Sequence, residues 1–330
     1  REEFDEKRVA DSVKELQREF SGNSFHLHTY MGVYEIRDRD EAVSIMVDKA
    51  NIAADTIKNN YDCCVAYYDE HLLEISIEQR RLLGEFEPAL QNDEFVMYLQ
   101  PQVKRDGAAK GAEALVRWVH PSRGILTPYA FIDILENAGL IYKLDLYIWE
   151  KAAQKLAEWK EKGYGSYHIS VNISTKDFYI IDIYETFTGL INKYGIAASN
   201  LHLEITETTL MTDFEKNMNI IHKLQGVGFR VEIDDFGSGY SSLNMLKDIS
   251  ADVLKIDMGF LRKSENEVKG QDILESIITL AGKIGMDVIT EGVETKKQLD
   301  MLTMMGCHEF QGYYFSKPVP VSEFEEKYLV

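Results

Sequence analysis

Cysteine is scarce in this 330-residue chain: Cys63, Cys64 and Cys307 are the only three. They imply no disulfide framework, and a reducing, cytoplasmic setting is expected. Apolar runs of about 18 residues are also missing, as is a signal peptide, so the sequence predicts neither a membrane-spanning helix nor secretion. Positive charge is in short supply: 36 Lys and Arg stand against 55 Asp and Glu, a formal net charge of −19. That balance argues against adhesion to DNA or RNA polymers or to an anionic membrane. An anionic ligand would need cations or local arginines to cancel the field. The chain opens at Arg1, not methionine, which leaves room for a sensor or membrane anchor upstream.

What is present is ample apolar material, 45% of residues, in patterns that change along the chain. Residues 1–70 alternate helix, strand, helix, strand: Val9, Val13, Leu16 and Phe20 keep helical spacing, "FHLHTYMGVYEI" alternates, "AVSIMVDKANIAADTIKNN" is helical and "CCVAYYD" is a short strand. Residues 71–92 form an amphipathic connector helix with Leu72, Ile75, Leu82, Leu83 and Phe86 on its apolar side. From 93 to 330, β-rich runs ("FVMYLQ", "AEALVRW", "YHISVNI", "LHLEIT", "RVEID", "VLKID", "DVITEG", "EFQGYYF") alternate mostly with helical stretches. Eight strands in a segment of that length fit a single α/β barrel of the (β/α)8 kind better than an open sheet.

Barrel active sites lie at the carboxyl ends of the strands. Acids gather at those positions: Glu204 and Glu207 in "LEITE", Asp234 and Asp235 in "EIDDFG", Asp257 in "LKID", and Glu291 and Glu294 in "TEGVE". Glu113 and Asn172 sit on neighbouring strands, and Glu113, Leu115 and Arg117 share one strand face. So many carboxylates around one mouth repel one another and resist desolvation unless cations neutralise them. Hard divalent ions with oxygen ligands, Mg²⁺ or Mn²⁺, meet that need. Lys255 in the same belt suggests that the reacting group is anionic, most simply a phosphate. Two metals sharing a carboxylate can drive an in-line displacement at phosphorus, so a phosphodiesterase is the leading inference. Individually, an acid at a strand end is more often a helix N-cap or a solvated charge, and Asp234 or Asp235 could cap a helix beginning in "YSSLNML". An enolase-like site, with three carboxylates on one metal and a lysine, stays open on spacing alone.

From about Leu82 to Val330 the chain resembles the EAL-domain cyclic di-GMP phosphodiesterases, on the ordered motifs "LQPQV", "AEALVRW", "SVNIS", "LEITET", "IDDFGSGYSSL", "LKID", "TEGVET" and "QGYYFSKP". The resemblance implies a TIM-like barrel with one antiparallel strand and two Mg²⁺ or Mn²⁺ ions per site. It further implies hydrolysis of cyclic di-GMP to the linear dinucleotide pGpG, and a homodimer formed through the barrel. Position by position, it implies Glu113, Asn172, Glu204 and Asp234 as ligands of one metal, with Asp234 bridging to a second ion supported by Asp235 and Glu291. It gives Lys255 the attacking water or scissile phosphate, Glu291 the general-base role, and Glu207 the tethering of the loop after Asp235. Gln100, Leu115, Arg117, Asp257, Glu294 and Gln311 are implied on the substrate side. Ser238 and Thr290 depart from commoner residues without removing a ligand, and Met258 with Gly259 replaces a basic and serine pair. The functional alternative is a catalytically silent cyclic di-GMP receptor that signals through the connector helix.

Residues 1–70 resemble the carboxyl-terminal half of a GGDEF domain, ending in "AYYDE"; the GGDEF signature is absent, so no cyclase activity is implied for this chain. His26 and His28 share a strand face that permits a metal pair, although ordinary packing is the commoner role. "GSGYSS" fits neither a Rossmann fingerprint nor a P-loop.

Overall fold

The structure, a computed structural model, describes residues 7–9, 11–13, 15, 29–58, 64–236, 249–259 and 267–329. Leu16, Phe20, His26, His28, Cys63 and residues 237–248, which include Ser238 and on which the tether expected of Glu207 and the N-cap alternative bear, lie outside the described residues. Two units emerge, Arg1–Phe86 and Glu87–Val330, with the boundary inside the helix Glu70–Gln91. In the first unit, strands β1 (Met31–Val33) and β2 (Val65–Tyr67) pair in parallel, with the helix Val43–Asp55 between them in sequence. No helix among the described residues is long and apolar enough to cross a membrane.

The second unit is the expected barrel. Its strands are β3 (Phe95–Lys104), β4 (Ala109–His120), β5 (Gly124–Leu126), β6 (His168–Ile173), β7 (Leu201–Thr206), β8 (Val231–Asp234), β9 (Val253–Asp257), β10 (Asp287–Glu291), β11 (Glu309–Phe310) and β12 (Val319–Pro320). The closed ring runs β3-β11-β10-β9-β8-β7-β6-β4 and returns to β3. Strand β3 is antiparallel to both its ring neighbours, β4 and β11, and every other ring pairing is parallel. The short strands β5 and β12, which alternation did not reveal, extend the sheet beyond the ring.

Parallel strands covered on both faces need apolar residues on both. Leu201, Leu203, Ile205, Val231, Ile233, Leu254 and Ile256 are accordingly buried. The helix Ile141–Glu161 buries Ile141, Leu144, Ile148, Trp149, Ala152, Ala153, Leu156 and Trp159, a stripe at helical spacing. Each large side chain in that stripe contributes roughly 1.5–3 kcal/mol through burial. Trp149 also anchors the strand end, its Nε1–H donating to the Asn172 carbonyl at 2.9 Å. The strand-like run "EFQGYYF" stops early because Gly312 has φ +154 and a Cβ there would meet the Val293 backbone at 2.3 Å. Only glycine accommodates that approach.

Candidate active site

Seven of the eight ring strands deliver a polar side chain to the same mouth: Gln100 from β3, Glu113 from β4, Asn172 from β6, Glu204 from β7, Asp234 from β8, Lys255 from β9 and Glu291 from β10, and Gln311 follows directly after the eighth, β11. Lys255 is their centre and is fully buried. Its Nζ lies 2.6 Å from Glu291 Oε1, 3.5 Å from Glu113 Oε2 and 3.6 Å from Asp234 Oδ1, and it donates to Glu204 Oε1. Asn172 Nδ2 donates to Glu113 Oε1 at 3.2 Å. Gln311 Nε2 donates to Glu113 Oε2 at 2.5 Å and to Gln100 Oε1 at 3.2 Å, and Gln100 Nε2 reaches the Ser316 carbonyl at 3.3 Å.

Four carboxylates surround one ammonium, and the electrostatics follow. Burial pushes the Glu291 carboxyl up to about 7; the Lys255 charge opposes this and the Glu113 charge adds to it. Asp234 is raised well above the usual carboxylate range by burial and by the charges of Glu291 and Glu113, while the Asp235 backbone N–H donated to it works the other way. For Lys255 burial disfavours the ammonium, but the surrounding Glu113 and Glu291 outweigh it and its pKa is raised.

One lysine does not satisfy this donor set. Glu204 Oε2 and Asp234 Oδ1 are buried with no hydrogen-bond donor. Oxygen atoms of Glu113, Glu204 and Glu291 lie within 4.8 Å of one another. Buried carboxylate oxygens without donors, converging in an all-oxygen set, are the chemistry that suits a hard divalent cation.

The remaining expected positions lie around this centre. Asp235 follows β8 with φ 56, a left-handed conformation that aspartate adopts more readily than most residues, and it is exposed. Asp257 ends β9 and accepts the Gly259 N–H at 2.6 Å. Glu207 opens the helix Glu207–Thr212, and exposed Glu294 follows β10. Arg117 is half-buried, with its guanidinium carbon 5.3 Å above the Tyr98 ring and Nη1 donating to the Val116 carbonyl. Leu115 and Asn172 line a cavity of about 430 Å³ that also holds Glu136, Asp145 and Trp149.

Sequence reasoning missed two features. One is that cavity's acid pair, in which burial and the charge of Asp177 raise Asp145 well above the usual range. The other is a buried layer beneath the mouth, where His168, Ser170, His202 and Glu232 stand two positions ahead of residues already singled out, or four for His168. Strand periodicity of two was the available signal, since it turns these residues to the same face as Asn172, Glu204 and Asp234.

Residues 84–318 match the EAL domain family. The chain belongs to that family. The bifunctional diguanylate cyclase/cyclic di-GMP phosphodiesterase MucR of Pseudomonas aeruginosa is 32% identical over 272 residues, 82% of this chain and 39% of MucR. Cyclic di-GMP phosphodiesterase PdeR of Escherichia coli is 33% identical over 240 residues, 73% of this chain and 36% of PdeR. A solved structure of the PaMucR phosphodiesterase in complex with c-di-GMP has a TM-score of 0.70 at 33% identity, covering 74% of this chain and 99% of that one. This EAL chain thus spans less than half the length of the curated relatives it matches.

Proposed function

We propose that the barrel mouth hydrolyses cyclic di-GMP to linear pGpG with the help of divalent cations, Mg²⁺ or Mn²⁺, two per site. The observation that carries this reading is the convergence of Glu113, Glu204, Asp234 and Glu291 on Lys255, with buried oxygens that lack donors. In this reading Glu113, Asn172, Glu204 and Asp234 would hold one ion, and Asp234 the other, with Asp235 and Glu291 supporting it directly or through water. Such ions, when bound, acidify water and neutralise the phosphate oxygens during in-line displacement.

The chain's own residues supply the rest. Glu291, beside the Lys255 ammonium at the mouth, is the carboxylate placed to take a proton from the attacking water. The water oxygen bonds to phosphorus as the bond to the 3′ oxygen breaks, and that oxygen leaves with a proton. Lys255 holds its ammonium where negative charge develops. Arg117, stacked on Tyr98, grips a phosphate, for which a planar fork of donors is suited. The cavity behind Leu115 takes a guanine base, whose N–H edge meets the acceptors of Glu136 and Asp145. Glu207 keeps the part of tethering the segment after Asp235, and Asp257, Glu294 and Gln311 complete the substrate side. The same proposal includes pairing of two barrels in solution and assigns residues 1–70 to the carboxyl-terminal half of a GGDEF domain.

The test is turnover: purified chain, cyclic di-GMP and Mg²⁺ or Mn²⁺, with the product separated by chromatography. Linear product that disappears with chelator and in Glu113→Ala supports the reading. Tight binding without turnover would make the chain a receptor.

A further inference from the structure

Beneath the mouth, at the amino-terminal end of the barrel, a second constellation differs in chemistry from the first. His168 begins β6, His202 is the second residue of β7 and Glu232 the second of β8. All are buried, with Glu232 wholly so. One ligand atom from each lies within 4.8 Å of the others. Two imidazoles with one carboxylate are the donors of a borderline transition metal, whereas the mouth offers oxygen alone.

We propose that His168, His202 and Glu232 form a second cation site, specific for a divalent transition metal of the Zn²⁺ class, that pins β6, β7 and β8 together. Three observations carry it. Glu232 Oε2 is buried with no hydrogen-bond donor, although Oε1 accepts from Ser170 Oγ at 3.0 Å. The far nitrogen of each histidine already faces an acceptor: His168 Nε2 is 2.7 Å from Gln102 Oε1, and His202 Nε2 is 3.2 Å from the Ser199 carbonyl. Ligating histidines are oriented in this way, donating one ring N–H to a fixed oxygen and leaving the other nitrogen for the metal. Here that nitrogen is Nδ1, and His202 Nδ1 is 2.6 Å from Glu232 Oε1.

The third observation is that the backbone makes room for the rings. A Cβ on Gly111 would lie 2.4 Å from His168 Cδ2, so only glycine lets the imidazole lie flat against β4. His168 then stacks on His202 with centroids 3.8 Å apart and planes 3° from parallel. Binding one ion turns at least one ring out of this stack, because both nitrogens must point at the metal. A cavity of about 470 Å³, lined by Tyr167, Ser199 and Arg230 among others, opens onto the two rings and gives them that space. Burial lowers the pKa of both imidazoles, favouring the neutral form that ligates metals.

The test uses the full chain stripped of metal, titrated with Zn²⁺ by calorimetry and with Co²⁺ as a spectroscopic probe. A Zn²⁺ site that persists in Glu113→Gln but weakens more than about tenfold in both His168→Gln and Glu232→Gln is expected. Zn²⁺ should also raise the melting temperature of wild type and Glu113→Gln, but not of Glu232→Gln, whose similar shape and remaining acceptor for Ser170 favour an intact fold, verified by circular dichroism. Zn²⁺ affinity unchanged in the folded Glu232→Gln protein, or no Zn²⁺ binding in Glu113→Gln, would overturn the proposal. Neither readout involves turnover, so the result is independent of the phosphodiesterase reading.

Discussion

Lys255 Nζ stands 2.6 Å from Glu291 Oε1, with the lysine fully buried and the glutamate only 17% exposed. Removing the ammonium leaves several carboxylates buried together without their common cation. Lys255→Met is therefore expected to lower the stability of the chelated protein by about 3–5 kcal/mol, measured by urea unfolding, and to abolish turnover. Unchanged stability would mean that the carboxylates are already neutral.

The pH response of Glu291 has a definite sign. Its folded pKa, about 7, lies above the ordinary 4.5, so the folded state retains a proton that the unfolded state has lost. Metal-free stability should fall as pH rises from about 4.5 to about 7 and then level off. Glu291→Gln removes this penalty. With chelator present at pH 8 the variant should be more stable than wild type, by at most about 3 kcal/mol, and the two should converge below pH 4.5. A variant that is less stable at pH 8 would contradict the assignment.

Arg117 is assigned to binding and not to bond cleavage. Arg117→Ala should raise KM for cyclic di-GMP by about tenfold or more with a smaller change in kcat, and Arg117→Lys should recover only part of the loss, because an ammonium cannot reproduce the guanidinium fork. Steady-state kinetics decide it.

Gly111→Ala tests the layer beneath the mouth. The added methyl would collide with the His168 ring, and overpacking of this kind costs roughly 1–3 kcal/mol. A thermal melt should show the loss in wild-type background and a smaller one when His168 is replaced by alanine.

Much of this molecule was legible as text. The run "LHLEIT" coincides with β7 and "VLKID" with β9, because short apolar strands bounded by polar loops leave little ambiguity of type. The strand-end acids were legible for the same reason: once a barrel is inferred, strand ends define its mouth. What stayed hidden was long-range. That Lys255 serves four carboxylates at once, and that Gln311 reaches across to Glu113, depends on ring closure through the β3–β4 pairing. His168 and His202 read as ordinary strand residues because their stacking partner is 34 positions away in sequence.

The central claim is that water attacks phosphorus at the carboxylate-lined mouth. It is tested most directly by incubating the chain with cyclic di-GMP and Mn²⁺ in heavy-oxygen water and analysing the product by mass spectrometry. The account predicts linear pGpG carrying one heavy oxygen in its 5′-phosphate, with none formed by Asp234→Ala. Saturated binding of cyclic di-GMP with no labelled linear product would contradict it.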